Sequence, residues 1–231
     1  MEARHIDAHM RFLASDALNG RGSGTRDEWI AATYIGSQLA ALGLEPMGDD
    51  GWFVQKIEVQ RYGVKTPSTL TAGETTLTRG QDFLVRSIPA DRIGGPLLRY
   101  AAGTPVPRGA VVVVPPSADA PRQLSGASLV LRRATSAQAA NWAAMTRQLP
   151  EWVSSELVGV PPAPSAGSTA VTLLPEAFDA IAALADGTRV ELRTDRVAAT
   201  RTATWNAVGR LRGTDPAADT ETIVLSAHLD H

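Results

Sequence analysis

Two residues near the end of the sequence have the types and the spacing that could do chemistry: His228 and Asp230, separated by Leu229. A neutral imidazole can bind a zinc ion through one ring nitrogen. A carboxylate two residues away can accept a hydrogen bond from the other nitrogen and fix the tautomer of the histidine. His228 is therefore the candidate metal ligand. Since His-x-Asp also occurs by chance in polar loops, that second interpretation stays open, and His231 could face the site or begin the next turn.

The element that would position this pair is a predicted buried strand. The run Ile223-Val224-Leu225 is short, apolar and largely β-branched, which favours a strand. Small residues then follow, and they would let the chain leave a sheet. In open α/β sheets, ligands bind beyond the carboxyl ends of strands. The sequence thus predicts that His228 and Asp230 lie at such an edge.

The remaining histidines that could chelate a metal are His5 and His9, spaced i, i+4 on a predicted first helix over residues 5–14. A zinc-peptidase helix of the H-E-x-x-H type needs a glutamate directly after the first histidine, and Ile6 holds that place. We therefore interpret His5 and His9 as surface or packing residues. The chain has no cysteine, which excludes disulfides, thiolate metal ligands and a cysteine nucleophile.

A glycine-rich turn, residues 15–25, could suggest phosphate binding or a nucleophile. It follows no predicted strand and contains neither G-x-x-x-x-G-K nor G-x-G-x-x-G. Ser23 is not in a G-x-S-x-G elbow, because Arg21 holds the first glycine position. We interpret this turn as a plain connection.

Composition limits the classes of partner. The apolar fraction of 44% is ordinary and allows a sizeable core. The net charge of −2 argues against nucleic acid or an acidic membrane surface as a partner bound by bulk electrostatics. No apolar run approaches the ~18 residues of a membrane span, and the first residues form no apolar leader.

The amino-terminal part is predicted to be helical. Thr25 and Glu28 fit a capping box that begins a second helix, which runs to about Leu42. Gly43 is the expected residue after the helix end. The predicted buried stripe of this helix is Ala31, Ile35, Leu39 and Leu42.

The middle of the chain is predicted to be rich in β-structure. A strand over Trp52–Tyr62 leads into it, and two helices are predicted, at residues 136–149 and 175–185. Residues 157–168 are proline-rich and are interpreted as an exposed loop. Short apolar runs separated by turn residues predict strands at Ser68–Leu70, Thr75–Leu77, Phe83–Arg86, Leu97–Tyr100, Ala110–Val114, Ser128–Leu131, Ala170–Leu173 and Arg189–Leu192.

Two blocks of the sequence resemble the co-catalytic zinc aminopeptidase family, which includes bacterial leucyl-type aminopeptidases, glutamate carboxypeptidase and the transferrin receptor. The first block, Leu13–Pro46, is similar to "L-A-S-D-x-L-x-G-R … A-x-x-Y-I-x-x-x-L-x-x-x-G-L-x-P". The second is similar to "N-V-x-G-x-x-x-G-(s/t)-D … hhhh-(s/g)-A-H-x-D" and comprises a predicted strand, Asn206–Leu211, a polar loop over residues 214–220, and the segment ending at Asp230. Ala207 stands where the family often has valine.

The resemblance implies an α/β fold. Its expected parts are the amino-terminal helices and first strands of a mixed-sheet zinc-peptidase domain, with an inserted β-rich (α+β) protease-associated domain. The expected boundaries are residues 1–62 for the amino-terminal helical part, 63–197 for the inserted domain and 198–231 for the first strands. The stretch Thr169–Ala177 is similar to a late strand-then-helix step of protease-associated domains.

The resemblance also implies a function. Family members hydrolyse peptide bonds with two bridged zinc ions and a glutamate base, and the substrate would be a peptide with a free amino end. His228 would be one zinc ligand, and Asp230 would orient it. The other ligands and the base would come later in the chain, so residues 1–231 alone are expected to be inactive. Because an unpaired terminal strand would leave its apolar face and edge uncovered, these residues alone are also expected to be poorly soluble or partly disordered at both ends.

Other interpretations remain open at this stage. The protein could be a non-catalytic relative that serves in binding, as the transferrin receptor does, or a protease-associated binding module. The choice between an amino- and a carboxypeptidase is open as well. Relatives are commonly exported, so a secreted or periplasmic location is expected, with a cytoplasmic one as the alternative. The oligomeric state does not follow from the sequence.

Overall fold

The structure is a computed structural model that describes residues 2–121, 123–161, 167–215 and 221–230. The chain folds into two compact units. The first unit comprises Met1–Val59 and Arg201–His231, and the second comprises Gln60–Thr200. The second unit encloses residues 63–197, the segment for which the sequence predicts an inserted domain.

Helices and strands alternate irregularly along the chain. The α-helices are α1 (Ala3–Leu13), α2 (Arg26–Ala41), α3 (Ser136–Ala140), α4 (Trp142–Arg147) and α5 (Pro175–Ala182). The strands are β1 (Glu45–Pro46), β2 (Val54–Val64), β3 (Thr69–Ala72), β4 (Thr75–Thr78), β5 (Phe83–Leu84), β6 (Arg92–Arg99), β7 (Ala110–Val114), β8 (Ala127–Arg133), β9 (Ser154–Leu157), β10 (Thr169–Leu173), β11 (Arg189–Arg193), β12 (Arg196–Ala207) and β13 (Gly209–Arg210).

Helix α2 of the first unit begins and ends where its sequence predicts. The hydroxyl oxygen of Thr25 accepts a hydrogen bond from the Glu28 amide at 3.4 Å, as expected of the first residue of a capping box. At the other end, Gly43 adopts a left-handed φ of +76°. The amides of Gly43 and Leu44 then donate to the carbonyls of Ala40 and Leu39, a pattern that satisfies the last carbonyls of a helix.

The predicted buried stripe of α2 is only partly correct. Ala31 is buried, together with its neighbour Ala32 and with Gly36. Leu42 is 75% exposed, because the chain leaves the helix there and its side chain lies past the last turn. Small residues pack this face instead, and a Cβ added at Gly36 would lie 3.1 Å from the Cβ of Phe53. At Gly36, helix α2 therefore packs closely against the side chain of Phe53.

The strand predicted from the run Ile223-Val224-Leu225 is wrong. The structure assigns no strand to residues 221–230, and the side chains of Ile223, Val224 and Leu225 are 80–93% exposed. An apolar, β-branched run becomes a strand only where a neighbouring strand pairs its backbone and covers one face, and no pairing of this segment occurs among the described residues. His231 lies outside the described residues.

The other strand predicted in the second sequence block, which precedes the segment with His228, is interrupted in the structure. The sequence predicts a strand over Asn206–Leu211, but β12 ends at Ala207 and β13 covers Gly209–Arg210. The break falls at Val208, whose amide donates to the carbonyl of Phe53 and whose carbonyl accepts from Met47. Leu211 lies beyond the strand and is 80% exposed. The predicted loop over residues 214–220 lies largely outside the described residues, from residue 216 onward.

The second unit is built on an eight-stranded mixed sheet. The strand order is β4-β3-β11-β6-β7-β8-β10-β5. The pairs β6–β7, β7–β8 and β8–β10 are parallel, and the flanking pairs are antiparallel. All five residues of β7 are buried, as expected for a central parallel strand that is covered on both faces. The chain is therefore an α/β protein, as predicted, but its large mixed sheet lies in the second unit, whereas the sequence predicts a mixed sheet for the peptidase domain.

The eight strands predicted in this unit are confirmed, with shifts at their ends. Strand β9 was not predicted, because its sequence, Ser-Ser-Glu-Leu, has almost no apolar residues. The predicted helix over residues 136–149 is two short helices, α3 and α4, separated at Asn141. The loop predicted at 157–168 is described except for residues 162–166. A further small sheet has the order β12-β2-β9.

Within the described part of the chain, no helix is long and apolar enough to cross a membrane.

Candidate functional site

The pair predicted from the sequence comes together in the first unit. Nδ1 of His228 lies 3.3 Å from Oδ1 of Asp230. The imidazole is 94% exposed, whereas the side chain of Asp230 is 29% exposed. If Nδ1 carries the proton and donates it to the carboxylate, Nε2 keeps its lone pair and faces away from Asp230. Nε2 is then the ring nitrogen that could bind a metal.

The glycine-rich turn contacts this pair, although it is remote in sequence. Nε of Arg21 donates a hydrogen bond to the carbonyl oxygen of Leu229 at 2.9 Å. The hydroxyl of Ser23 donates to Oδ2 of Asp230. The two oxygens of Asp230 therefore face different partners, one the imidazole and the other the serine. The turn is not a plain connection, and the sequence interpretation of it was incomplete.

The backbone of the turn is unusual at three consecutive residues. Asn19, Gly20 and Arg21 have φ values of +42°, +82° and +52°. Asparagine and glycine adopt this left-handed conformation readily, but an arginine does so rarely. The amide of Arg21 donates to the carbonyl of Leu18 at 2.7 Å, and Leu18 itself is buried.

A buried glutamate holds the turn. The side chain of Glu28 is 2% exposed and accepts hydrogen bonds from the amide of Gly24, at 2.6 Å, and from the hydroxyl of Thr204. The carbonyl of the same Gly24 accepts from the hydroxyl of Thr202 at 3.2 Å. Since a buried carboxylate is costly without partners, Glu28 is stable here because its oxygens are bonded. Helix α2, strand β12 and the turn therefore meet at Gly24.

The pKa of Asp230 lies below its ordinary value. The hydrogen bond from Ser23 is the main cause, and the hydrogen bond with His228 lowers the pKa further. Partial burial acts in the opposite direction and is outweighed. At neutral pH Asp230 is therefore an ionised, acceptor-only carboxylate, which suits it to receive a proton donor from His228.

The donor atoms near His228 fit one ligand of a zinc ion and the carboxylate that orients it. An exposed imidazole nitrogen opposite a bonded carboxylate is the arrangement found in carboxylate–histidine–zinc units. Among the described residues, no group of three or more His, Cys, Asp or Glu side chains could hold a metal ion. The described residues therefore do not form a complete metal site by themselves.

The other histidine pair does not form a site. Nδ1 of His9 lies 2.8 Å from the hydroxyl of Tyr34, and the two rings meet edge to face. His9 thus packs against α2, in agreement with its interpretation as a packing residue, and His5 is exposed.

The second unit has a shallow cavity of about 240 Å³ near the carboxyl ends of β7, β8 and β10. Its arginines are engaged within the protein. Arg132 donates to the carbonyls of Ala120 and Pro121, and Arg133 forms two hydrogen bonds with Asp179, each of 3.0 Å. The cavity contains none of the residues that the sequence singles out for chemistry.

Comparison with known proteins gives a coarse result. The sequence matches no protein-family model and no curated protein. The solved structures that are similar to this chain include those of three peptidases. The first is an aminopeptidase from Aneurinibacillus sp. strain AM-1, with 14% identity and a TM-score of 0.35, covering 88% of this chain and 46% of that one.

The other two structures are also those of proteases. A Peptidase M28 precursor from Shewanella amazonensis has 13% identity and a TM-score of 0.32, covering 88% of this chain and 52% of that one. The subtilisin-like protease Apa1 from Pseudoalteromonas sp. AS-11 has 12% identity and a TM-score of 0.32, covering 61% of this chain and 34% of that one. The chain spans about half the length of the first two proteins. At these values the likeness supports no residue-level argument.

Proposed function

We propose that this chain contributes to a zinc-dependent peptidase and that His228 is one of its zinc ligands. The observation that carries the proposal is the geometry of the pair, with Nδ1 of His228 3.3 Å from Asp230 and the imidazole open to solvent. The sequence blocks that resemble the co-catalytic zinc aminopeptidases agree with it. Further ligands and a general base are needed for a complete site.

The residues of this chain would have separate tasks. Nε2 of His228 would hold the metal, and Asp230 would keep the proton of the imidazole on Nδ1. Bound zinc would act as a Lewis acid that polarises a peptide carbonyl and activates water. Because the pKa of Asp230 is lowered, its carboxylate stays ionised through the neutral range and can orient the histidine there.

The finer assignments follow from the resemblance. The substrate class we propose is a peptide with a free amino end, which makes the protein an aminopeptidase with two bridged zinc ions. The second unit would be the inserted protease-associated domain, and the protein would be secreted or periplasmic. Residues 1–231 alone are expected to be inactive, because the described residues contain no group of three or more His, Cys, Asp or Glu side chains that could hold a metal ion.

The direct test is a zinc titration of the protein labelled with ¹⁵N-histidine and followed by NMR. Zinc is expected to shift the Nε2 resonance of His228, and His228→Ala identifies that resonance and removes the response. His9→Ala is the matched control, since that ring is engaged with Tyr34. A response that survives His228→Ala, or that moves only His5 and His9, would refute the metal assignment.

Activity separates a peptidase from a binding protein. In the protein at its natural length, hydrolysis of leucine p-nitroanilide is expected to require zinc and His228. In residues 1–231 alone, no hydrolysis is expected at any zinc concentration. A natural-length protein that binds zinc at His228 but cleaves neither amino- nor carboxy-terminal peptide substrates would instead be a non-catalytic relative.

A further inference from the structure

We infer that the glycine-rich turn is the positioning element of the metal-ligand pair, through Arg21 on the backbone of Leu229 and Ser23 on the carboxylate of Asp230. The inference rests on the proposed role of His228 and adds two residues for which the sequence alone predicts no function. Both contacts join residues more than 200 positions apart in the sequence.

The contact of Ser23 acts on the carboxylate. A free aspartate can rotate about its last side-chain bond and present either oxygen to a neighbour. Here the hydroxyl of Ser23 is bonded to Oδ2, which leaves Oδ1 facing Nδ1 of His228 at 3.3 Å. Because the two oxygens of an ionised carboxylate are equivalent, the hydrogen bond from Ser23 acts by fixing the plane of the carboxylate, which keeps one oxygen toward Nδ1 of His228 and favours the Nδ1–H form.

The contact of Arg21 acts on the main chain. Residues 221–227 are exposed and outside any strand, so regular sheet pairing does not hold the segment that carries His228. The bond of 2.9 Å from Nε of Arg21 to the carbonyl of Leu229 fixes the peptide between the two site residues. Because Nε is part of a planar guanidinium, the direction of this bond is restricted, which a lysine ammonium would not reproduce.

The turn is itself held in place, as a positioning element must be. Arg21 has a φ of +52° and is the last of three consecutive left-handed residues, and such a conformation persists only where the surrounding structure determines it. Glu28 and Thr202 bind the amide and the carbonyl of Gly24 on the far side of the turn. Helix α2 and strand β12 therefore fix the position of the turn, and the turn in its place fixes the position of Asp230.

The test is the tautomer of His228, read from the ¹⁵N shifts of its two ring nitrogens in the full chain without metal. In the unsubstituted protein the Nδ1–H form is expected to dominate. Ser23→Ala and Arg21→Gln are expected to shift the population toward the Nε2–H form and to weaken zinc binding at His228 about tenfold, the lower end of the range for lost orienting partners. Ser23→Thr, which keeps the hydroxyl, is expected to keep the tautomer population and the zinc affinity of the unsubstituted protein.

Matched controls separate positioning from general damage. Ser37→Ala removes a hydroxyl that bonds only within α2, and Arg11→Gln removes an exposed arginine paired with Asp7. If Ser23→Ala and Arg21→Gln leave the tautomer ratio and zinc affinity at the values of these controls, the inference is wrong. If Ser23→Ala or Arg21→Gln does not fold, the conservative variants Ser23→Thr and Arg21→Lys test the inference instead. Ser23→Thr is expected to keep the tautomer ratio of the unsubstituted protein, and Arg21→Lys is expected to change it.

The same data distinguish this inference from the proposed function. If zinc does not bind His228 but the two variants still change its tautomer, the peptidase proposal fails and the positioning role stands. If zinc binds through His228 and neither variant alters tautomer or affinity, the positioning role fails and the metal assignment stands.

Discussion

Removal of the Glu28 carboxylate is expected to destabilise the first unit strongly. This side chain is 2% exposed and accepts two hydrogen bonds, from the Gly24 amide and the Thr204 hydroxyl. Hydrogen bonds to a charged group contribute about 1.5–3 kcal/mol each. Part of that is recovered in Glu28→Ala, because a buried charge is removed as well. We expect a net loss of about 3 kcal/mol, and about 1–2 kcal/mol for Glu28→Gln, which keeps one acceptor oxygen.

The assay is amide hydrogen exchange of helix α2, because it reports on the first unit alone. A loss of 3 kcal/mol corresponds to exchange that is about a hundredfold faster in Glu28→Ala. The matched control is Glu58→Ala, which removes an exposed glutamate whose partner, Arg201, is also exposed. An exposed pair of this kind contributes at most about 1 kcal/mol.

A second measurement tests the cause. In a double-mutant cycle with Thr204→Val, we expect a coupling free energy of about 1–2 kcal/mol between Glu28 and Thr204. If Glu28→Ala lowers the stability no more than Glu58→Ala does, or if the coupling free energy is zero, the buried hydrogen bonds of Glu28 do not hold the turn.

Three further predictions concern the second unit. Gly95→Ala should lower the free energy of unfolding, measured with urea, by more than about 2 kcal/mol, because the new Cβ would lie 1.9 Å from the carbonyl oxygen of Gly109. A loss smaller than that of Gly63→Ala, whose added Cβ would make only ordinary contacts, would contradict this prediction. The pKa of Glu191 is lowered by Arg189 and Arg193, so its stabilising effect is present above the ordinary glutamate pKa and is lost as the pH falls through the lowered one. Glu191→Gln should therefore make the melting temperature fall less steeply as the pH is lowered. An unchanged fall would show that the interaction of Glu191 with its two arginines does not stabilise the protein. Arg196 donates hydrogen bonds to Asp91, to Glu156, to the hydroxyl of Ser154 and to the carbonyl of Pro89. Arg196→Met should therefore lower the free energy of unfolding by about 2–3 kcal/mol, measured by thermal unfolding. The control, Arg92→Met, replaces an exposed arginine and should change it little.

Local sequence patterns predicted most of the elements. Helix α2 is set by a capping threonine and a terminal glycine that act over a few residues, and the structure confirms both ends. The strands of the second unit follow from short apolar runs between turn residues, and β7 is the clearest because it is apolar throughout. These signals are local, since capping, turn conformation and the spacing of apolar residues depend on near neighbours in the sequence.

The sequence-based predictions that failed concern features that depend on interactions between residues distant in the sequence. Ile223-Val224-Leu225 has the composition of a strand, but composition supplies no pairing partner, and the run is exposed in the structure. The contacts of Arg21 and Ser23 with Leu229 and Asp230 could not be predicted, because no sequence spacing connects a turn to a segment 207 or 208 residues away.

The sequence by itself therefore determined the residue types and the His-x-Asp spacing, but not the conformation of the segment that carries them. Nearness along the chain brings Asp230 within reach of His228, so a pairing of these two residues could be expected without a fold. Only the tertiary structure decided which atoms face which. Strand β12 and helix α2 bring Thr202, Thr204 and Glu28 around Gly24, and this contact sets the turn against Asp230. The orientation of a side chain depends on atoms distant in sequence, and folding alone brings them together.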